Sequence, residues 1–375
     1  MEFLALERQT LETYLPGLES ALVETPLQQL EGPDSPVLRW FKEKRGPGLL
    51  VPRDCKGLGA SALDAVRIQR AIGSRSPSLA VATTMHHFSV ASLVELSASG
   101  TGLEWMLLEA IAEQGLLIAS GFAEGQPGRS ILSPTMQVRR NGSGLLVSGS
   151  KKPCSLARSM DFLTASVALP NTGETSGSLA VVLIPASAEQ LERRPFWGTS
   201  VLAAAESDEV VLRDVHVPDS LVFPAGDADG LDALQLSGFM WFELLMSASY
   251  LGIASGLAER ALRGKKGEAI ERAELGIELE SAMSAVEGAA WSLLSGQRGD
   301  AELARGLFVR YSVQRAIERV TSRATELLGG MAFISSPDVG YLLTASRALA
   351  FHPPSRSAMA ASMAEYLVGG ALRVA

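Results

Sequence analysis

Near the C-terminus, the run Arg347-Ala-Leu-Ala-Phe-His352-Pro-Pro-Ser-Arg356 places a histidine directly before two prolines. Proline lacks an amide donor and restricts the residue before it, so His352 belongs to a turn and not to a helix interior. A rigid turn at a helix mouth aims a side chain into a cavity, and an imidazole there can act as a general base, because it titrates near neutral pH. The plainer reading is a helix cap or an inter-helix turn. Met85-His86-His87-Phe88 falls inside an apolar stretch with helical character, where histidines are as readily satisfied core residues as active ones. Arg305, Arg310, Arg315, Arg319 and Arg323 recur at intervals of four or five and read as a solvated or interface face.

These residues need elements to position them. Residues 1 to about 45 read as helices, with Leu4, Leu11, Tyr14 and Leu15 at helical spacing. A turn-rich loop from Gly48 to Ser61 leads into a helix over Ala60 to Ile72. A second helix, capped by Ser76 with Pro77 in its first turn, runs to about Ser97. From about Leu116 short β-rich runs alternate with turns. The Asn141-Gly142 step between two apolar runs predicts a hairpin, and further strands are expected at Phe162 to Ala168, Leu179 to Ile184, Glu209 to Leu212 and Val215 to Val217. Helical periodicity returns in Gly238 to Leu262, Ile270 to Leu294, Asp300 to Leu328 and Ser357 to Val368. The expected class is α+β, in the order helical (1–116), β (117–224), helical (225–375), with the middle section a small barrel or sandwich.

Composition narrows the function. At 375 residues, with 47% hydrophobic and 20% charged, the chain supports a large core. A net charge of −8 without a basic cluster argues against a nucleic-acid partner. Cys55 and Cys154 lie far apart with no CxxC or Cys/His spacing, which argues against a disulfide framework or a metal site and suits a reducing cytoplasm. No signal peptide is read at Met1-Glu2-Phe3-Leu4, and no run such as Gly115 to Phe122 reaches a membrane span.

The helical–β–helical order, together with "GLLVPRDCKGLGAS", "FAEGQPGRS", "NGSGLLVSGSKKPCSLARSMDFL", "ESDEVVLRDVHVPDSLV" and "ELLGGMAF", resembles the acyl-CoA dehydrogenase superfamily of flavoproteins across nearly the whole chain. Each motif alone is weak; five in order at about the right spacing are not. The resemblance implies an N-terminal helical domain, a central β-barrel and a C-terminal four-helix bundle. It also implies bound FAD, a homodimer or homotetramer, and α,β-dehydrogenation of an acyl thioester carried by CoA or a carrier protein. Carried over residue by residue, it puts Glu124 and Gly128 in the flavin loop and Cys154 and Ser155 on the flavin strand. Gly329 and Gly330 fall in the segment that meets the adenosine end of FAD from another subunit.

The departures concern the chemistry. The family's catalytic Glu, just before the last helix, is replaced by His352. In a second branch the Glu lies on the first long helix of the C-terminal domain. There Phe242 holds the position and Glu243 is one residue off, about 100° around the helix. Glu243 is thus a displaced base or a carboxylate paired with an Arg inside the bundle. Flavin-loop and ring contacts are altered at Ala123, Arg129 and Pro153, and Glu326 stands where a Gln is usual, all of which weakens FAD retention. An alternative follows: Arg347 with His352-Pro353-Pro354, Cys154-Ser155, and His87 beside His86 on an N-domain helix resemble the reduced-flavin-dependent monooxygenases of the dibenzothiophene type, which use supplied reduced FMN or FAD. A third reading is a degenerate member that binds a ligand or partner without redox chemistry.

Overall fold

The computed structural model describes residues 2–98, 103–125, 134–169, 178–227, 233–296 and 299–374; Gly128 and Arg129 lie outside them. The helical elements come first: α1 Ala5–Tyr14, α2 Leu18–Glu24, α3 Leu27–Leu30, α4 Val37–Glu43, α5 Ala62–Gly73, α6 Pro77–Ser97 and α7 Leu103–Gln114. Strands follow: β1 Ile118–Gly121, β2 Gln137–Arg140, β3 Gly144–Cys154, β4 Phe162–Ala168, β5 Ser178–Pro185, β6 Leu191–Arg194, β7 Asp208–Pro218 and β8 Val222–Asp227. The last section is α8 Ala233–Arg263, α9 Ala269–Leu294, α10 Asp300–Ser335, α11 Pro337–Ser346, a 3-10 turn Arg347–Phe351, and α12 Arg356–Leu367.

Local chemistry accounts for the boundaries. Ser61 and Asp64 form a reciprocal capping box at α5, and the Ser76 hydroxyl accepts from Leu79 N at the start of α6. The Asn141 turn joins β2 to β3 in the register Arg140↔Leu145, as the Asn-Gly step predicts. The two runs expected on either side of Arg213 form one strand, β7, because both pair with β3. Gly329, at φ +83°, interrupts α10 close to where the periodicity ends.

The middle section is not a closed barrel. Among the described residues it forms two four-stranded sheets, ordered β1-β4-β5-β8 and β2-β3-β7-β6. Strand β1 pairs with β4 in parallel, and β3 is bent by register shifts between Val147 and Gly149 and between Lys151 and Cys154. Pro153, which cannot donate to a ladder, sits inside the second shift. Glu124 and Lys152 make an isolated bridge between the two groups of strands.

One apolar cluster runs through all three sections. Its axis is α8, which packs on α5 and α6 on one side and on α9, α10 and α11 on the other. The close approach to α5 depends on small residues. A Cβ at Gly252 would stand 2.3 Å from Arg70 O, one at Gly256 2.4 Å from Ser74 O, and one at Gly73 2.2 Å from Ser249 O. Covered for most of its length, α8 is apolar on most of its surface, with Glu243 and Glu259 as buried charges. Its Gln235–Arg263 stretch has the length and hydropathy of a membrane span, but most of it is covered by the helices around it.

Candidate active site

A cavity of about 740 Å³ opens where the β1-β4-β5-β8 sheet, the end of β3, α6, α8 and the His352 turn meet. Helix α6 contributes Val81, Met85, Phe88, Ser89 and Ser92, a single helical stripe. Helix α8 contributes Gly238, Phe239, Phe242 and Tyr250, and the turn contributes Phe351 to Ser355. One wall is a chain of rings. Phe122 lies 5.9 Å from Phe88 between centroids, Phe88 lies 5.4 Å edge-on from Phe242, and Phe242 lies 6.3 Å edge-on from His352. The strands and the loops beside them bring polar groups to the lining: the Ser155 and Ser207 hydroxyls, 3.0 Å apart, and Thr164, Ser166 and Glu124.

His352 ends the wall. It is half-buried, and Tyr250 Oη lies 2.9 Å from its Nε2, so Nδ1 is the ring nitrogen left to the cavity. Burial, and then the charge of Arg310, push the imidazole down to about 3. Burial raises the Tyr250 hydroxyl well above its ordinary value. Both rings are therefore neutral across the physiological range. The dyad exchanges hydrogen bonds and does not store a proton.

Glu243 points elsewhere. It is buried between α8 and α10, outside the cavity lining, where Arg310 Nη1 donates to its two carboxylate oxygens at 3.0 and 2.8 Å. Burial raises this carboxyl to about 7 against the opposing pull of Arg310. Phe242 lines the cavity in its stead, as one residue of helix rotation requires. The carboxylate paired with an Arg, weighed from the sequence, is what the fold contains. Arg310 itself is 1% exposed, whereas Arg305, Arg315, Arg319 and Arg323 of the same row are exposed; the solvated-face reading fails at this one position. Arg347, the arginine that the sequence pairs with His352, has a half-exposed side chain 3.9 Å from Glu318.

Other expected site residues divide between cavity and core. Ser155 and Glu124 line the cavity. Glu124 accepts from Lys151 Nζ at 2.8 Å and from Thr135 N; burial opposes its charge, but these bonds outweigh it and leave the carboxyl below the usual range. Cys154, on the other face of the strand, is buried, and burial raises its thiol to about 12. His86 and His87 turn away from the cavity. His86 Nδ1 accepts from Ile118 N at 3.0 Å and its Nε2 lies 2.9 Å from Pro47 O, which ties α6 to β1 and to the N-terminal loop. His87 packs edge-on against Phe41, and neither of its ring nitrogens has a hydrogen-bond partner among the described residues. Gly329 and Gly330 lie at the break in α10, away from the cavity lining. Tyr250, Arg310, Lys151 and Ser207 were not singled out from sequence.

No family model matches the chain. Isobutylamine N-hydroxylase of Streptomyces viridifaciens is 46% identical over 380 residues, covering the full length of both proteins. The structure of KijD3 in complex with FMN and dTDP-3-amino-2,3,6-trideoxy-4-keto-3-methyl-D-glucose superposes with a TM-score of 0.84 at 18% identity, over 97% of this chain and 94% of that one. Butyryl-CoA dehydrogenase from Megasphaera elsdenii superposes with a TM-score of 0.84 at 14% identity, over 97% and 98%. The full-length relative favours the monooxygenase alternative over acyl-thioester dehydrogenation; the dehydrogenase is matched at the level of fold. With 46% identity end to end and this architecture, the chain belongs to the acyl-CoA dehydrogenase-fold flavoproteins, in the family of isobutylamine N-hydroxylase.

Proposed function

We propose that the protein is a reduced-flavin-dependent monooxygenase that hydroxylates the nitrogen of a small, largely apolar primary amine. The observation that carries this reading is what occupies the two places where dehydrogenases of this fold keep their catalytic carboxylate. One is held by His352 and the other by Phe242, with Glu243 turned onto Arg310. Full-length similarity to an amine N-hydroxylase supports the same conclusion. The balanced reaction is RNH2 + O2 + reduced flavin → RNHOH + H2O + oxidised flavin.

The cavity fits a flavin with a small molecule beside it. Its volume lies in the usual range for ligand sites, its walls are mostly aromatic and aliphatic groups, and a pair of hydroxyls, Ser155 and Ser207, stands at the strand end. Ser155 and Ser207 would hydrogen-bond the ring edge, the Lys152-Pro153 strand end and the Glu124-Gly125 rim would flank it, and Gly128 belongs to the same loop in sequence. The chemistry a bound reduced flavin supplies is the two-electron reduction of dioxygen. This chain's residues supply the setting. Phe88, Phe122, Phe239 and Phe242 exclude water and seat the alkyl part of the amine. His352, its Nε2 engaged by Tyr250, offers Nδ1 to the nitrogen or oxygen at the reacting centre. A neutral imidazole of this kind does not deprotonate an alkylammonium, so the amine enters as the free base. Gly329 and Gly330 belong to a contact with a second copy in a homodimer or homotetramer, which is part of the proposal.

The test is to mix the purified protein with photoreduced FMN, 18O2 and isobutylamine. Labelled N-isobutylhydroxylamine formed only with protein present supports the proposal. Bleaching of protein-bound oxidised flavin by an acyl-CoA, with no hydroxylamine formed, would restore the dehydrogenase reading. Failure to bind flavin in either oxidation state would leave the degenerate one.

A further inference from the structure

We infer that Arg310, balanced by Glu243, is the positioning residue of this site, fixing the turn that presents His352 to the cavity. The inference rests on the reading that His352 works there. Among the described residues the carbonyls of His352, Pro353 and Pro354 have no backbone donor, and Leu349 O has only a 3.3 Å bond from His352 N, since a 3-10 segment ends at Phe351 and two prolines follow. Two neighbours on α10 supply those donors. Arg310 Nη2 donates to Leu349 O at 3.1 Å and to His352 O at 2.6 Å, its Nη1 donates to Pro353 O at 3.3 Å, and Tyr311 Oη donates to Pro354 O at 3.0 Å.

The guanidinium is buried, and its charge is answered by Glu243 from α8. Two turns further along α8, Tyr250 holds His352 Nε2. The turn is thus clamped between two helices, by its backbone on one side and its ring on the other. A planar fork can reach several carbonyls and a carboxylate together, which an ammonium cannot. The carboxylate one residue beyond the place where dehydrogenases of this fold keep a base serves here as counter-ion to the clamp.

The discriminating variants are Arg310→Lys, the paired Glu243→Leu/Arg310→Met, Arg347→Ala and His352→Ala. Each is assayed with isobutylamine and photoreduced FMN, and in the variants that keep His352 the ring is followed by its side-chain 15N signals. For Arg310→Lys the expected result is a fall in kcat of about tenfold or more, with KM for the amine and the Kd for reduced FMN changed less than about threefold. The His352 signals should shift, and more of the dioxygen should leave as hydrogen peroxide. Arg347→Ala should stay within about twofold of the parent. A folded Arg310→Lys protein with parental kcat and unshifted His352 signals overturns the inference. If that variant does not fold, the paired apolar variant takes its place under the same criterion. If neither folds, Arg310 is a structural residue and the inference is wrong. Full turnover in His352→Ala would instead refute the functional reading, while the His352 signals in Arg310→Lys still decide the positioning.

Discussion

His352 and His86 are both held neutral by burial, yet one ends on a tyrosine at the edge of a cavity and the other between two backbone groups in the core. The same division runs through the neighbouring pairs Phe88/His87 and Phe242/Glu243. In each, the aromatic residue lines the cavity and the titratable one faces the packed interior. One step along a helix is about 100°, enough to exchange a solvent-accessible pocket for a helix interface. Residue type does not separate a cavity-lining histidine from a core one in this molecule. The direction of its Cα–Cβ bond does.

The largest expected effect tests the cavity side. His352→Ala should lower kcat for amine hydroxylation by about a hundredfold or more. Because Arg310 and Tyr311 grip the turn by its carbonyls, the same change should cost only about 1 kcal/mol of stability, the value of one hydrogen bond. Rapid-quench turnover and urea denaturation of one preparation read both numbers.

The core side should respond in the opposite sense. His86→Ala removes two bonds to the backbone and leaves a void, so a loss of about 2–4 kcal/mol is expected by urea midpoint, with kcat per folded molecule near the parent value. If kcat fell instead, the proposed division of the histidines would collapse.

Acid exposes the same residue without mutation. His86 has a folded pKa near 4, below its unfolded value of 6.5, so the unfolded chain binds the proton more readily. Its contribution is fully present above pH 6.5 and is lost as pH falls from there towards 4, amounting to about 3 kcal/mol at most. His87 and His352 shift in the same direction. Urea midpoints measured over that window, compared with those of His86→Gln, isolate its share.

The smallest effect concerns Phe242, on the cavity face of α8. Trimming it to leucine should move substrate preference by about tenfold or less towards bulkier amines, as expected for a few methylenes in an apolar pocket. Competition between isobutylamine and a branched homologue measures the ratio. Glu243→Gln should leave that ratio untouched, since Glu243 does not reach the cavity.

Much of the fold was legible because local chemistry sets it. The Ser76-Pro77 start, the Asn141-Gly142 hairpin and the break at Gly329 are decided by backbone preferences that a few residues carry. The choice between a barrel and a pair of sheets was not legible, since it depends on β1 joining β4 across 44 residues and on bends in β3. The same contrast holds in the site. His352 stood out through its two prolines, whereas Arg310 sat unremarked in a row of arginines. Only the packing of α8 against α10 distinguishes it from the others.

By itself, then, the sequence determined the order of the elements, the turn at His352 and the loss of carboxylates from the two places where this fold keeps its base. The tertiary structure decided what those residues face. Of the two readings open for Glu243 it took the carboxylate paired with an Arg, it put Arg310 and not Arg347 behind His352, and it sent His86 and His87 into the core. The physical reason is that burial and partnership depend on contacts between residues far apart in the chain, such as Glu243 with Arg310 and Tyr250 with His352.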